Sequence, residues 1–260
     1  MTDRRIPGTP LVALVATALL AACSGGTGDV GNGVLPSVSP SGPAVVYVAV
    51  GASESVGIGA QDPGSQAWTQ VFYRTALPRA AVFVNLGIPG ATVEQALGEE
   101  VPPAIAAHPN IVTVWLNVND LIRGVPAATY GTELRSLLAR LRSTGARVLV
   151  ANTPPLDHLP LYVGCQPYVP APGGTCDTSR TLPPDRLVGL VDAYNREIAG
   201  AVAAEDATLV DLHALGLAAE RAGTETGLVS GDGFHPSTAG HRAVAAAFVA
   251  AYQRTVAPAP

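Results

Sequence analysis

Four short stretches of the 260-residue chain carry side chains that can do chemistry together: Gly51-Ala52-Ser53-Glu54-Ser55, Ile88-Pro89-Gly90-Ala91-Thr92, Asn117-Val118-Asn119-Asp120 and Asp232-Gly233-Phe234-His235-Pro236. A serine becomes a nucleophile only with a base for its proton, a group that orients that base, and donors for the oxyanion that forms on attack. Ser53 is the candidate nucleophile and His235 the candidate base. Asp232 stands three residues before His235, across a Gly-containing turn, where its carboxylate can fix the imidazole tautomer and stabilise the imidazolium. Gly90 offers a backbone N–H and Asn119 a side-chain amide to an oxyanion. Each residue alone also has an ordinary reading: a capping serine, a capping aspartate beside an exposed histidine, a turn glycine, an asparagine ending a strand in an Asx-turn. It is their order and placement together that single them out.

Placement follows from the hydrophobic pattern. Runs at 44–50, 81–86, 111–116, 147–151 and 208–211 are short and rich in Val and Ile. Several lack polar alternation, as expected of strands covered on both faces. Amphipathic stretches at about 65–77, 92–107, 127–143, 185–204, 212–222 and 237–254 read as helices. This alternation predicts an α/β fold with a central, mainly parallel five-stranded sheet and helices on both sides. In such sheets ligands bind beyond the carboxyl ends of the strands. Ser53, Gly90 and Asn119 each follow a predicted strand there. Residues 154–184, rich in Pro and Gly, interrupt the rhythm as an ordered loop insertion.

With the four blocks in this order, the chain resembles the SGNH (GDSL-like) hydrolases, over roughly residues 44–254. The resemblance implies a three-layer α/β/α sandwich of flavodoxin-like kind. It implies Ser53, His235 and Asp232 as the catalytic residues, with the Ser53 N–H, Gly90 and Asn119 forming the oxyanion hole. No cofactor and no metal is expected. Two positions depart from the family pattern: Ala52 stands where Asp is usual, and Asn117 where Gly is usual. The first lies outside the triad; the second bears on substrate preference. G-x-S-x-G is absent around Ser53, against an ordinary α/β-hydrolase elbow.

The remaining histidines have plainer readings. His108 lies at a helix end, His213 at a helix start, and His241 inside the last helix as a packing or hydrogen-bonding residue. His158, in the insertion, reads either as a surface residue or as one approaching the site.

Composition narrows the function classes. The chain has no lysine, all 15 basic residues being Arg, which excludes a P-loop, a protein-kinase site, a pyridoxal Schiff base and a Ser-Lys dyad. Formal net charge is −5 with no basic patch, so no nucleic-acid partner is expected.

The N-terminus reads as a targeting segment. Arg4 and Arg5 precede an apolar run of 12 residues, Leu11 to Ala22, too short to span a bilayer, which takes about 20. It ends Leu20-Ala21-Ala22-Cys23, similar to a bacterial lipobox. Residues 1–22 are then a lipoprotein signal peptide and Cys23 the lipidated first residue, the alternative being an ordinary signal peptide. Removing Asp3, Arg4 and Arg5 with it takes the formal charge from −5 to −6. Residues 23–43 form a tether: 12 of the 19 residues from Ser24 to Gly42 are Gly, Ser or Pro, and as a flexible coil they span roughly 25 Å. Residues 44–254 are the catalytic domain and 255–260 a tail. Export puts Cys165 and Cys176 in an oxidising compartment, where a disulfide is expected, two free thiols being the alternative.

These expectations describe an extracytoplasmic, lipid-anchored monomer acting on small-molecule, lipid or glycan esters through an acyl-enzyme. An acyltransferase using the same intermediate and a non-catalytic envelope binding protein are the other two readings. Intact Ser53, Asp232 and His235 count against the last.

Overall fold

The computed structural model describes residues 44–166 and 181–256. Five strands, β1 (Val46–Gly51), β2 (Val82–Asn85), β3 (Ile111–Trp115), β4 (Arg147–Ala151) and β5 (Thr208–Val210), form one all-parallel sheet in the order β2-β1-β3-β4-β5. The helices are α1 (Ser53–Val56), α2 (Pro63–Gln66), α3 (Trp68–Ala76), α4 (Val93–Glu99), α5 (Val101–Ala106), α6 (Val118–Ile122), α7 (Ala127–Arg142), α8 (Pro160–Gly164), α9 (Pro184–Ala204), α10 (Leu212–Ala222), α11 (Glu225–Leu228) and α12 (Thr238–Val256).

The missing polar alternation has a direct cause. Side chains on a strand point alternately to opposite faces, and here both faces are apolar cores. Val48, Val50, Val112, Val114, Val148 and Val150 join a core with Leu134, Leu137, Tyr194 and Ile198 from α7 and α9. Tyr47, Ala49, Ile111, Trp115, Leu149 and Ala151 join a second core with Trp68, Phe72 and Phe248 from α3 and α12. Trp68 stacks on Phe248 with ring centroids 4.2 Å apart. The result is the expected α/β/α sandwich. Even Thr113, buried in β3, has its hydroxyl 2.9 Å from that of Tyr47.

Two expected helices are each divided. The stretch 65–77 breaks at Ala67, whose backbone is extended (φ −54°, ψ 142°), so α2 and α3 meet there. The stretch 92–107 breaks at Glu100, just before Val101-Pro102-Pro103. Proline has no N–H and its ring clashes with the preceding turn, so a new helix starts where proline is tolerated. The insertion contains α8, which the sequence pattern did not mark. Short helices α1, α6 and α11 were likewise not anticipated.

The strand order reverses between β1 and β3, the switch point at which parallel sheets open a crevice. Gly51 pairs with Trp115 in the register of these strands, so the segments after them leave the sheet side by side.

Candidate active site

Ser53 opens α1 immediately after β1 and is buried. Its N–H, at the first turn, has no acceptor within its own helix. The loop holding it is anchored from both sides: Ile88 N–H donates to the Gly51 carbonyl (2.9 Å), while the Asn85 amide (2.7 Å) and the Thr69 hydroxyl (2.9 Å) donate to the Ser55 carbonyl.

His235 arrives from the segment before α12. Its Nε2 lies 3.0 Å from Ser53 Oγ, and its Nδ1 lies 2.6 Å from Asp232 Oδ2. The other carboxylate oxygen of Asp232 accepts from the Ser230 hydroxyl (2.7 Å) and from the N–H groups of Phe234 and His235 (2.9 Å each). Partial burial works to raise the Asp232 pKa. These hydrogen bonds outweigh it and hold the carboxyl well below the usual carboxylate range. An ionised Asp232 keeps a proton on Nδ1 and leaves Nε2 as the acceptor for the serine hydroxyl.

Close approach of two loops secures that geometry. Gly59, with φ +96°, lies under the histidine segment; a Cβ there would stand 2.2 Å from the Pro236 carbonyl oxygen and 3.0 Å from His235 Cβ. Only glycine adopts this backbone without strain and leaves the room.

Gly90 sits at the third position of the turn Ile88-Pro89-Gly90-Ala91, with φ +82°, and Ala91 N–H donates to the Ile88 carbonyl (2.9 Å). Proline second and a left-handed glycine third are what a type II turn requires. The Gly90 carbonyl is held by the Arg123 guanidinium at 2.8 Å. Asn119, in α6, donates from Nδ2 to the Ala91 carbonyl at 3.0 Å, which leaves the second amide hydrogen uncommitted. Arg123 and Asn119 thus tie the turn after β2 to the helix after β3. Asp120 adds a third tie: its carboxylate oxygens each lie 3.2 Å from Val93 N–H at the start of α4. Burial pushes the Asp120 carboxyl up to about 6.

The two departures from the family pattern resolve structurally. Ala52 is buried in the α7–α9 core. Asn117 is buried too, and its amide donates to the Ala151 carbonyl of β4 (3.3 Å), a tie between strand ends.

Sequence reasoning passed over two buried carboxyls. Glu54, on α1, places Oε2 3.4 Å from Ser53 Oγ. Glu100, at the α4–α5 break, accepts the Gly51 N–H at 2.7 Å. Burial pushes Glu100 up to about 8. The break before Pro102-Pro103 was a local clue to a special role for Glu100; nothing local marks Glu54.

Against Glu54, Phe234 and Pro236, the neighbours of Ser53 and His235 in the chain, opens a pocket of about 950 Å³, its open mouth included. Trp115, Leu156, Leu159, Leu212, Leu215 and Phe234 make its walls apolar, and Glu54 reaches it from the Ser53 side. His158 lines it, with a side chain 60% exposed. His241 is a buried hydrogen-bonding residue: Nδ1 accepts from Trp68 N–H (3.3 Å) and Nε2 donates to the Ile58 carbonyl (3.0 Å). Cys165 follows α8, whereas Cys176, Cys23, the signal segment and the tether lie outside the described residues.

A parallel α/β/α sandwich with serine, histidine and aspartate converging at its switch point is the arrangement of the SGNH hydrolase class. The family model for GDSL-like Lipase/Acylhydrolase matches residues 49–243, and the chain belongs to that family. No curated protein matches. Among solved structures, the chain is similar to TesA (23% identity, TM-score 0.60, covering 81% of this chain and 99% of that one). It is similar to a lipase/acylhydrolase from Enterococcus faecalis (20%, TM-score 0.60, 83% and 99%). It is also similar to a variant of an acetyl-xylooligosaccharide esterase from Geobacillus (18%, TM-score 0.60, 83% and 97%).

Proposed function

We propose that the protein is a serine esterase that hydrolyses carboxylic esters through an acyl-enzyme. Ser53 attacks the ester carbonyl; His235 takes the hydroxyl proton and returns it to the leaving alcohol; Asp232 holds the imidazole and offsets its positive charge. The Ser53 N–H, the Gly90 N–H and the Asn119 amide bind the oxyanion, each such donor typically contributing about 10²–10³-fold in rate. Water then releases the acyl group by the same path in reverse. The observation that carries this reading is the continuous chain of contacts from Ser53 Oγ through His235 to Asp232, 3.0 Å and 2.6 Å long.

The apolar pocket beside Glu54 receives an apolar arm of the ester. A lipid anchor at Cys23 on the outer side of a membrane, with residues 24–43 as tether, places the domain near lipid or glycan esters, and a Cys165–Cys176 bridge closes the insertion. The direct test is hydrolysis of p-nitrophenyl acetate by Ser53→Ala. Loss of turnover by at least about 10³-fold with unchanged circular dichroism is expected; undiminished turnover overturns the mechanism.

A further inference from the structure

Glu54 is a buried ionisable residue at the nucleophile for which the Ser–His–Asp arrangement has no use. It is 8% exposed, on the first turn of α1, and lines the apolar pocket with Trp115 and Phe234. Its Oε2 stands 3.4 Å from Ser53 Oγ.

The count of hydrogens decides what that contact is. The Ser53 hydroxyl has one hydrogen. With Asp232 holding the ring hydrogen on Nδ1, Nε2 is the acceptor 3.0 Å away, and the serine hydrogen is committed to it. None remains for Glu54. Two oxygens facing each other without a hydrogen repel, and a carboxylate set against apolar walls is costly. A proton on Glu54 removes that repulsion and supplies a donor, and the 3.4 Å gap shortens when the O–H···O bond forms. We propose that Glu54 works as a neutral carboxylic acid that donates its O–H to Ser53 Oγ, and that its ionisation as pH rises turns the nucleophile off. This rests on the reading of Ser53 as nucleophile.

Burial favours the neutral form, against the pull of its own backbone N–H and of His235. The titratable groups around it are His235, from the segment before α12, whose charge it feels, and His158, Glu220 and Glu225, which line the same pocket from the segment after β4, α10 and α11. During acylation the Oγ–C bond forms as the carbonyl π pair moves to the oxyanion and the serine proton passes to Nε2; the C=O bond then re-forms, the bond to the leaving oxygen breaks, and that oxygen takes the proton. During deacylation the water oxygen bonds to carbon, its proton passes to Nε2, and Oγ leaves and takes that proton. Glu54 keeps its own proton throughout and stabilises the negative charge that Oγ takes up as the Oγ–C bond breaks in deacylation. A carboxylate in its place opposes that charge and also favours imidazolium at His235, which removes the base.

The test compares wild type, Glu54→Gln and Glu54→Ala as full chains. Gln keeps the shape and a donor but cannot ionise. We expect neutral-pH kcat/KM on p-nitrophenyl acetate to fall about threefold in Glu54→Gln and about tenfold in Glu54→Ala, the size of a lost neutral hydrogen bond. Wild-type activity should decline at alkaline pH and that of Glu54→Gln should not, so the variant overtakes the wild type there. An alkaline decline of equal size in both overturns the proposal, as does a Glu54→Gln rate no better than that of Glu54→Ala. Infrared difference spectra, wild type minus Glu54→Gln at neutral pH, should carry the C=O band of a protonated carboxyl. Its absence overturns the proposal whether or not the ester is turned over. A wild type without turnover counts instead against the esterase reading. If Glu54→Gln does not fold, Ser53→Ala serves: removing the acceptor oxygen should displace the same band, and an unmoved spectrum overturns the proposal.

Discussion

His235 Nε2 lies 3.0 Å from Ser53 Oγ although 182 positions separate the two residues. The contact depends on β1 delivering Ser53 to one edge of the sheet and on the Val229–Pro236 bridge closing the histidine segment before α12. Gly59 lets the loop after α1 pass against that segment.

Gly59→Ala should therefore act on catalysis without touching a reacting group. The added Cβ meets the Pro236 carbonyl and requires a left-handed alanine. Displacing His235 by about 1 Å is expected to lower kcat/KM about 10²-fold, and the strain to cost about 1–3 kcal/mol of stability. Steady-state kinetics and thermal unfolding of the same preparation check both. A variant with wild-type kinetics would show that the contact does not set the histidine position.

Asn119→Ala tests the oxyanion hole. A kcat loss of about 10²–10³-fold is expected. The stability cost should be only about 1 kcal/mol, for the lost hydrogen bond to the Ala91 carbonyl. Arg123→Ala removes the Gly90 tether without removing a donor, and its kcat loss should be smaller than that of Asn119→Ala. The reverse order would assign the larger role to the arginine.

The contributions of Glu100 and Asp120 to stability should fall as pH rises from about 4 to about 8. Glu100 moves from 4.5 up to about 8 on folding and Asp120 from 3.8 up to about 6. Across those intervals the folded chain binds more protons than the unfolded chain, so raising the pH favours unfolding. Below the ordinary values both states are protonated and the effect vanishes. Glu100→Gln keeps an acceptor for the Gly51 N–H and removes its share of the slope. The difference in Tm, variant minus wild type, should grow between about pH 5 and about pH 8. A difference independent of pH would mean that Glu100 is ionised in the fold.

The three cysteines carry two covalent predictions. Cys23→Ser should release the protein from membranes into the soluble fraction, and a wild type already soluble refutes lipidation. Peptide mapping without reductant should join Cys165 to Cys176, and free thiols at both refute the bridge.

Much of the fold was legible in the sequence because burial on both faces leaves a plain mark, the short Val- and Ile-rich run. The five strands, both long helices and α12 come from such patterns, which depend on residues adjacent in sequence. The positions of Ser53, Gly90 and Asn119 after strands were readable for the same reason. The divided helices were less so, since apolar periodicity continues across Ala67 and Glu100 while the backbone does not.

The sequence by itself determined the residue types, their order and the layers that must present them, because side-chain chemistry and alternation are local properties. Only the tertiary structure decided which carboxyls lose their water. Asp232 remains partly exposed and ringed with donors, and ionises readily. Glu54, Glu100 and Asp120 are enclosed by elements distant in sequence and hold their protons more tightly. A carboxyl's charge depends on desolvation and on the donors around it, and both are set by packing between segments that no local pattern connects.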